Sequence, residues 1–255
     1  VRRWALRLEY DGRGFVGWQR QENGLSVQEV LETAASRLCG GDVPDSVVAG
    51  RTDAGVHAAG QVAALELPDR LDARAVREAL NFHMKPHAVA VIEAAPAPSA
   101  AWSPRFSAIG RAYRYLILNR SARPALRDGF VWHVKAPLDA PAMHEAAQSL
   151  LGRHDFTSFR ASSCQANSPL RTLDRLDVRR DGETVVIEAE ARSFLHHQVR
   201  NMVGTLKLVG EGRWRVGRVA EALAARDRSA AGPTAPPDGL VLVAVRYEVD
   251  PFPRN

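Results

Sequence analysis

The chain has 255 residues, 45% of them hydrophobic and 25% charged, enough for a sizeable core in one large domain or two compact ones. No run approaches the roughly 18 consecutive apolar residues of a membrane-spanning helix, and two isolated cysteines, Cys39 and Cys164, make neither a disulfide framework nor a zinc knuckle. The net charge is +5, and of the 34 basic residues only Lys85, Lys135 and Lys207 are lysine; arginine forks suit phosphates and bases, although a GC-rich genome would raise Arg and Ala together.

The opening Val1-Arg2-Arg3-Trp4 runs into alternating residues without an apolar signal-peptide core, so the expected compartment is the cytoplasm. Trp4, Leu6, Leu8 and Tyr10 alternate with Ala5, Arg7 and Glu9, the period of a half-buried strand. A glycine-rich loop spans 11–24, and Ser26-Val27-Gln28-Glu29 reads as a capping box. The helix it opens carries Val27, Val30, Leu31, Ala34 and Leu38 on one face. Strands are predicted over 47–49 and 61–67, a helix capped by Asp72 through Met84, and a strand over 88–94. Ala95-Pro96-Ala97-Pro98-Ser99 reads as a stiff linker, which divides the chain into 1–98 and 99–255.

The same order recurs beyond it. A strand is predicted over 112–119, and a helix capped by Asp139 through Leu151, stopped by Gly152. A hairpin follows over 173–179 and 184–192, closed by Asp181-Gly182. Helices over 195–209 and 216–226 and a strand over 240–249 complete the set, with Pro236-Pro237-Asp238-Gly239 as the turn into the last strand. Two β-α-β-β-α-β halves predict an α+β chain of two ferredoxin-like (RRM-like) units, with antiparallel sheets joined around a central basic cleft.

The densest polar cluster is Gly50-Arg51-Thr52-Asp53-Ala54-Gly55-Val56-His57-Ala58, a loop between two apolar runs. Its glycines permit tight turns that present Arg51, Asp53 and His57 from a rigid support. Spacing alone reads as a glycine-rich turn with a helix-capping aspartate.

Five ordered segments resemble the TruA-type tRNA pseudouridine synthase family over nearly the whole chain. Glu9-Tyr10-Asp11-Gly12 with Gly17-Trp18-Gln19-Arg20-Gln21 is similar to its N-terminal block, and Gly50 to His57 to its catalytic loop. Arg111-Ala112-Tyr113-Arg114-Tyr115 resembles the strand with its stacking tyrosine. Residues 152–160 and 194–204 resemble two C-terminal blocks, the second departing at Gln198, where the family more often has an apolar residue.

The resemblance implies an isomerase that breaks the N1–C1′ bond of uridine, turns the base and rejoins it through C5, at positions 38, 39 and 40 of the tRNA anticodon arm. It needs no cofactor and no metal. Asp53 is then the catalytic carboxylate, as nucleophile or as base, and Arg200 its ion-pair partner. A carboxylate withdrawn from water is neutralised unless such a partner sits beside it. Tyr113 stacks on the uracil; alternation puts Tyr115 on the same face, and the motif alone selects Tyr113. Arg51 fills the vacated stack or holds phosphates. Arg20, Arg160 and Arg213 are candidate phosphate contacts. His197, with His196, is expected to hydrogen-bond RNA or backbone, because adjacent residues of one helix point about 100° apart and suit zinc poorly. Asp11 and Asp155 read as loop-structuring. The family further implies a homodimer binding tRNA.

Two rivals make different predictions. A non-catalytic RNA-binding protein of two RRM-like units would carry an RNP1 run, which the chain lacks. A hydrolase using Asp53 would release free base or cut the strand, whereas an isomerase leaves the RNA mass unchanged.

Overall fold

A computed structural model describes residues 1–252. They form two compact units, the first made of Val1–Ile109 with the C-terminal stretch from Leu242 onward, the second of Gly110–Val241.

The first unit runs β1 (Arg2–Tyr10), α1 (Val27–Ser36), β2 (Val47–Val48), β3 (His57–Leu67), α2 (Ala73–His83) and β4 (Val89–Pro96). Its sheet has the order β4-β1-β3, with β2 on β3, and β1–β3, β1–β4 and β2–β3 all pair antiparallel. Trp4, Leu6 and Leu8 are fully buried, as period-two alternation predicts. The intervening Ala5 is buried too. It joins Val62, Ala64 and Ala95 in a cluster of mainly small side chains filled out by Trp102, Tyr247 and Phe252. Small residues on this face leave room for large rings arriving from elsewhere in the chain, which an alternation pattern cannot reveal.

Both helices open as their caps predict. Ser26 Oγ accepts the Glu29 N–H at 3.1 Å and Asp72 Oδ1 accepts the Ala75 N–H at 2.7 Å.

Two boundaries move. The end of the polar loop is already strand, since β3 starts at His57 rather than at 61. The proline-containing stretch is not a free linker either. β4 continues to Pro96, opposite Trp4, and the Ala97 N–H bonds the Arg3 carbonyl at 2.9 Å. Pro96 closes a terminal strand of the sheet, where a missing N–H costs no ladder bond. The first unit accordingly retains residues 99–109, beyond the division expected at 98/99.

The second unit contains β5 (Ala108–Asn119, from Gly110 on), β6 (Trp132–Val134), α3 (Ala140–Gln148), β7 (Gly152–Asp155), β8 (Leu170–Asp181), β9 (Thr184–Ala191), α4 (Gln198–Gly210) and α5 (Arg218–Ala225). The order is β5-β9-β8-β7, antiparallel, with β6 parallel to β5. The expected hairpin is β8–β9, and Gly182 turns it at φ 56°. β6 and β7 are too short for a periodic signal. Gly152 does not stop α3, which ends at Gln148; it opens β7 at φ 91°. The last strand, β10 (Leu240–Tyr247), begins in the second unit and ends in the first. The chain is thus α+β with mostly antiparallel pairing, and no helix of the described residues is long and apolar enough to cross a membrane.

Candidate active site

In the first unit, the 11–18 segment lies directly on the loop that carries Asp53. Gly17 and Asp53 form an isolated antiparallel bridge, and the Trp18 N–H bonds the Thr52 carbonyl at 3.0 Å. The approach requires glycine. A Cβ on Gly17 (φ 109°) would stand 2.7 Å from the Thr52 oxygen, and one on Gly12 would stand 2.1 Å from the Val56 oxygen. Behind Asp53 the Val56 N–H closes a turn onto the Asp53 carbonyl at 3.1 Å. Asp53 is half-buried between buried Thr52 and exposed Ala54, and Arg51 is exposed.

His57 is buried and ties the two segments, its Nδ1 accepting the Gly12 N–H at 2.9 Å. Asp11 Oδ1 lies 3.2 Å from the same nitrogen. A lone pair that accepts a backbone N–H carries no proton, so we read the Asp11 approach as contact rather than a hydrogen bond. Asp11 also braces its own loop, taking the Arg13 N–H at 3.0 Å. Partial burial pushes its carboxyl upward, but the hydrogen bonds and charge of Arg13 outweigh this and hold it below the usual carboxylate range.

A buried polar chain runs beneath the loop. Gln61 Nε2 donates to the Gly50 carbonyl at 2.8 Å and to the Tyr10 hydroxyl at 3.2 Å, and that hydroxyl lies 2.7 Å from Thr52 Oγ1. Burial pushes the Tyr10 phenol up to about 12, against the lowering effect of its bonds with Thr52 and Gln61.

In the second unit, Tyr113 sits on β5 opposite Ala189, half-buried, in edge contact with Phe194 at 5.3 Å and 88°. Tyr115 is fully buried, its hydroxyl donating to the Pro236 carbonyl at 2.7 Å. Burial drives the Tyr115 phenol upward, with Arg200 opposing. Burial therefore separates two tyrosines that alternation left equivalent, and makes Tyr115 core.

The helix predicted over 195–209 starts later. His197 adopts a left-handed backbone at φ 62°, and α4 begins at Gln198. Both histidines lie in the turn before the helix, their rings 4.0 Å apart, so the 100° helical argument about them does not apply. The departure at Gln198 has a structural use: its Oε1 accepts the Leu195 N–H at 2.8 Å, bracing that turn. Arg200, in the first turns of α4, is half-buried, and its Nε donates to the Ala235 carbonyl at 2.8 Å.

A sequence profile described as tRNA pseudouridine synthase matches residues 8–107 and 146–248. The tRNA pseudouridine synthase A of Gluconobacter oxydans is 56% identical over 100% of this chain and 93% of its own length. That of Rhodospirillum centenum is 61% identical over 97% and 100%. The chain belongs to this family. It is an isomerase of the tRNA pseudouridine synthase family. Among solved structures, a chain of "Crystal Structure of a Cbf5-Nop10-Gar1 Complex" aligns over 94% of this chain and 49% of that one, at TM-score 0.35 and 12% identity, too distant to bear on the argument.

The arginines expected to meet RNA are placed differently from one another. Arg20 is half exposed but already bonded to Glu32 Oε2 at 3.1 Å. Glu32 is buried and also accepts from Gln28 and Ser46. Arg160 is half-buried beyond a short 3-10 turn, and Arg213 is exposed, 3.9 Å from Glu211. Asp155 structures its loop as expected, accepting from the backbone and hydroxyl of Thr157. Sequence reasoning missed Gln61, Thr52 and the hydroxyl of Tyr10, because a residue in a strand pattern gives no sign that its polar tip is paired.

Proposed function

We propose that the enzyme converts uridine to pseudouridine at positions 38, 39 and 40 of the tRNA anticodon arm, with Asp53 as the catalytic carboxylate. The observation that carries this reading is the held loop: Asp53 is bridged to Gly17 on one side and closed by a turn at Val56 on the other, with its side chain half-buried. A carboxylate fixed on a rigid support is what attack at C1′ or removal of a sugar proton needs.

In this reading the N1–C1′ bond breaks, the uracil turns, and C5 bonds C1′ while the C5 hydrogen leaves as a proton and N1, freed from the sugar, takes one up. Substrate and product are isomers, so no electrons are gained or lost. Tyr113 offers a flat face that tolerates rotation of the base in its plane, a contact worth roughly 1–3 kcal/mol. Arg200 supplies the cationic partner that a catalytic carboxylate needs. Arg51 occupies the stack or the phosphates left by the flipped nucleotide. Arg20, His197, Arg160 and Arg213 contact the RNA backbone, a mode of grip that suits three neighbouring target positions.

The β4-β1-β3-β2 order of the first unit supports a ferredoxin-like half that carries the aspartate loop, and a second such half would carry Tyr113 and Arg200. The working form is a cytoplasmic homodimer bound to tRNA. Tritium release from tRNA transcript labelled at uracil C5 tests the proposal. Wild type releases tritium and Asp53→Ala does not; transcripts substituted at 38, 39 or 40 lose the corresponding release. Release by folded Asp53→Ala would remove Asp53 from the chemistry, and release unaffected by those substitutions would remove the anticodon arm.

A further inference from the structure

We infer that Tyr10, Gln61 and Thr52 form a directed hydrogen-bond relay that positions Asp53, and that Tyr10 and Thr52 are positioning residues for the reaction. The inference rests on Asp53 being the catalytic carboxylate.

The direction of the relay follows from groups whose roles are fixed. Gln61 Oε1 accepts the Val62 N–H at 3.1 Å while its Nε2 faces the Gly50 carbonyl at 2.8 Å. A backbone N–H only donates and a carbonyl only accepts, so the amide has one orientation. Its second N–H then points at the Tyr10 oxygen, 3.2 Å away. The phenolic proton is left for Thr52 Oγ1 at 2.7 Å. Thr52 is held from the other side as well, its carbonyl accepting the Trp18 N–H. The relay thus grips residue 50 and residue 52, and Asp53 is the next residue along.

The strand register delivers Gln61 to this position. Between Leu8↔Gln61 and Tyr10↔Ala58 the β1–β3 ladder slips by one residue, a bulge on β3. Gly60 lies in the bulge, where a Cβ would meet the Val243 oxygen at 2.4 Å. Gln61 and Tyr10 are buried at 0% and 4% exposure, so neither has water as a substitute partner. A buried network oriented by the Gln61 amide suits residues that hold geometry rather than touch substrate.

The test compares Tyr10→Phe, Thr52→Val, their double variant and Thr52→Ser with wild type and Asp53→Ala, by tritium release from C5-labelled tRNA. Tyr10→Phe and Thr52→Val each lower kcat roughly 10- to 100-fold, because a small displacement of a catalytic group is that costly. KM for tRNA stays within about twofold, since binding lies elsewhere. The double variant loses no more than either single, as both remove the same bond. Thr52→Ser keeps the hydroxyl and keeps kcat. Circular dichroism establishes that each variant is folded, and Thr52→Val carries the test should Tyr10→Phe not fold. An inactive Asp53→Ala beside Tyr10→Phe and Thr52→Val of wild-type kcat would overturn the relay alone. A rise in KM at constant kcat would also overturn it. An active Asp53→Ala would overturn the Asp53 reading, and the relay with it.

Discussion

Arg200 and Ala235 exchange two hydrogen bonds, Nε to the Ala235 carbonyl at 2.8 Å and the Ala235 N–H to the Arg200 carbonyl at 3.1 Å. The segment around Ala235 is itself strapped to α4. Asn201 Oδ1 accepts from Thr234 Oγ1 at 2.6 Å and from Arg228 Nη2 at 3.1 Å, and the Gly232 N–H bonds Thr205 Oγ1 at 2.9 Å. The guanidinium of Arg200 is therefore oriented by a backbone segment that the next turn of the same helix holds in place.

Gly204 is where that strap comes closest, a Cβ there standing 1.7 Å from the Pro233 oxygen. Gly204→Ala must push helix and strap apart. We expect a stability loss of about 1–3 kcal/mol in urea unfolding. A fall in kcat should accompany it, as Arg200 loses its anchor. A variant with wild-type midpoint and turnover would show that the strap yields freely.

Tyr113 is half-buried and braced edge-on by Phe194. Tyr113→Ala should weaken use of tRNA by roughly 1–3 kcal/mol, read in kcat/KM, with little change in stability. Tyr113→Phe retains the ring and should retain most activity. If alanine and phenylalanine behave alike, the ring does not stack on the base.

The alkaline limb of stability reports Tyr10. Its folded pKa, about 12, stands above the ordinary value of 10.0. The group therefore contributes stability that is fully present below about pH 10 and lost as pH rises toward 12. The stability gap between wild type and Tyr10→Phe should narrow by on the order of 2 kcal/mol across that window, measured by urea unfolding at stepped pH. A constant gap would mean that the phenol is not buried.

Asp72, the cap of α2, serves as a control outside the proposed site. Its carboxylate caps α2 through the Ala75 N–H at 2.7 Å and is exposed to solvent. Asp72→Ala should cost about 1 kcal/mol of stability and leave kcat unchanged. A loss of turnover here would mean that global stability, not positioning, sets activity in the other variants.

The elements most legible in the sequence are those whose cause is local. Ser26, Asp72 and Asp139 each cap the helix they were expected to open. Each cap bond spans three residues, so the pattern and the structure share one short stretch of chain. The segments quoted around Asp53, Tyr113 and Arg200 led to the family that the profile match shows. Boundaries fared worse where a residue's conformation depends on distant neighbours. The helix predicted from 195 starts at Gln198 because His197 turns left-handed, and the stretch read as a linker from 95 is partly strand because β1 pairs with it.

By itself, the sequence determined the alternation of strands and helices, the caps, and the polar loop between two apolar runs, because period-two and helical patterns and N-cap bonds are set within a few residues of chain. Tertiary structure alone decided which polar tips are paired. Gln61 meets Gly50 and Tyr10, Tyr115 reaches Pro236, and Arg200 reaches Ala235, all across sequence separations of 11 to 121 residues. A buried donor must find an acceptor wherever packing brings one, and packing is a property of the whole chain.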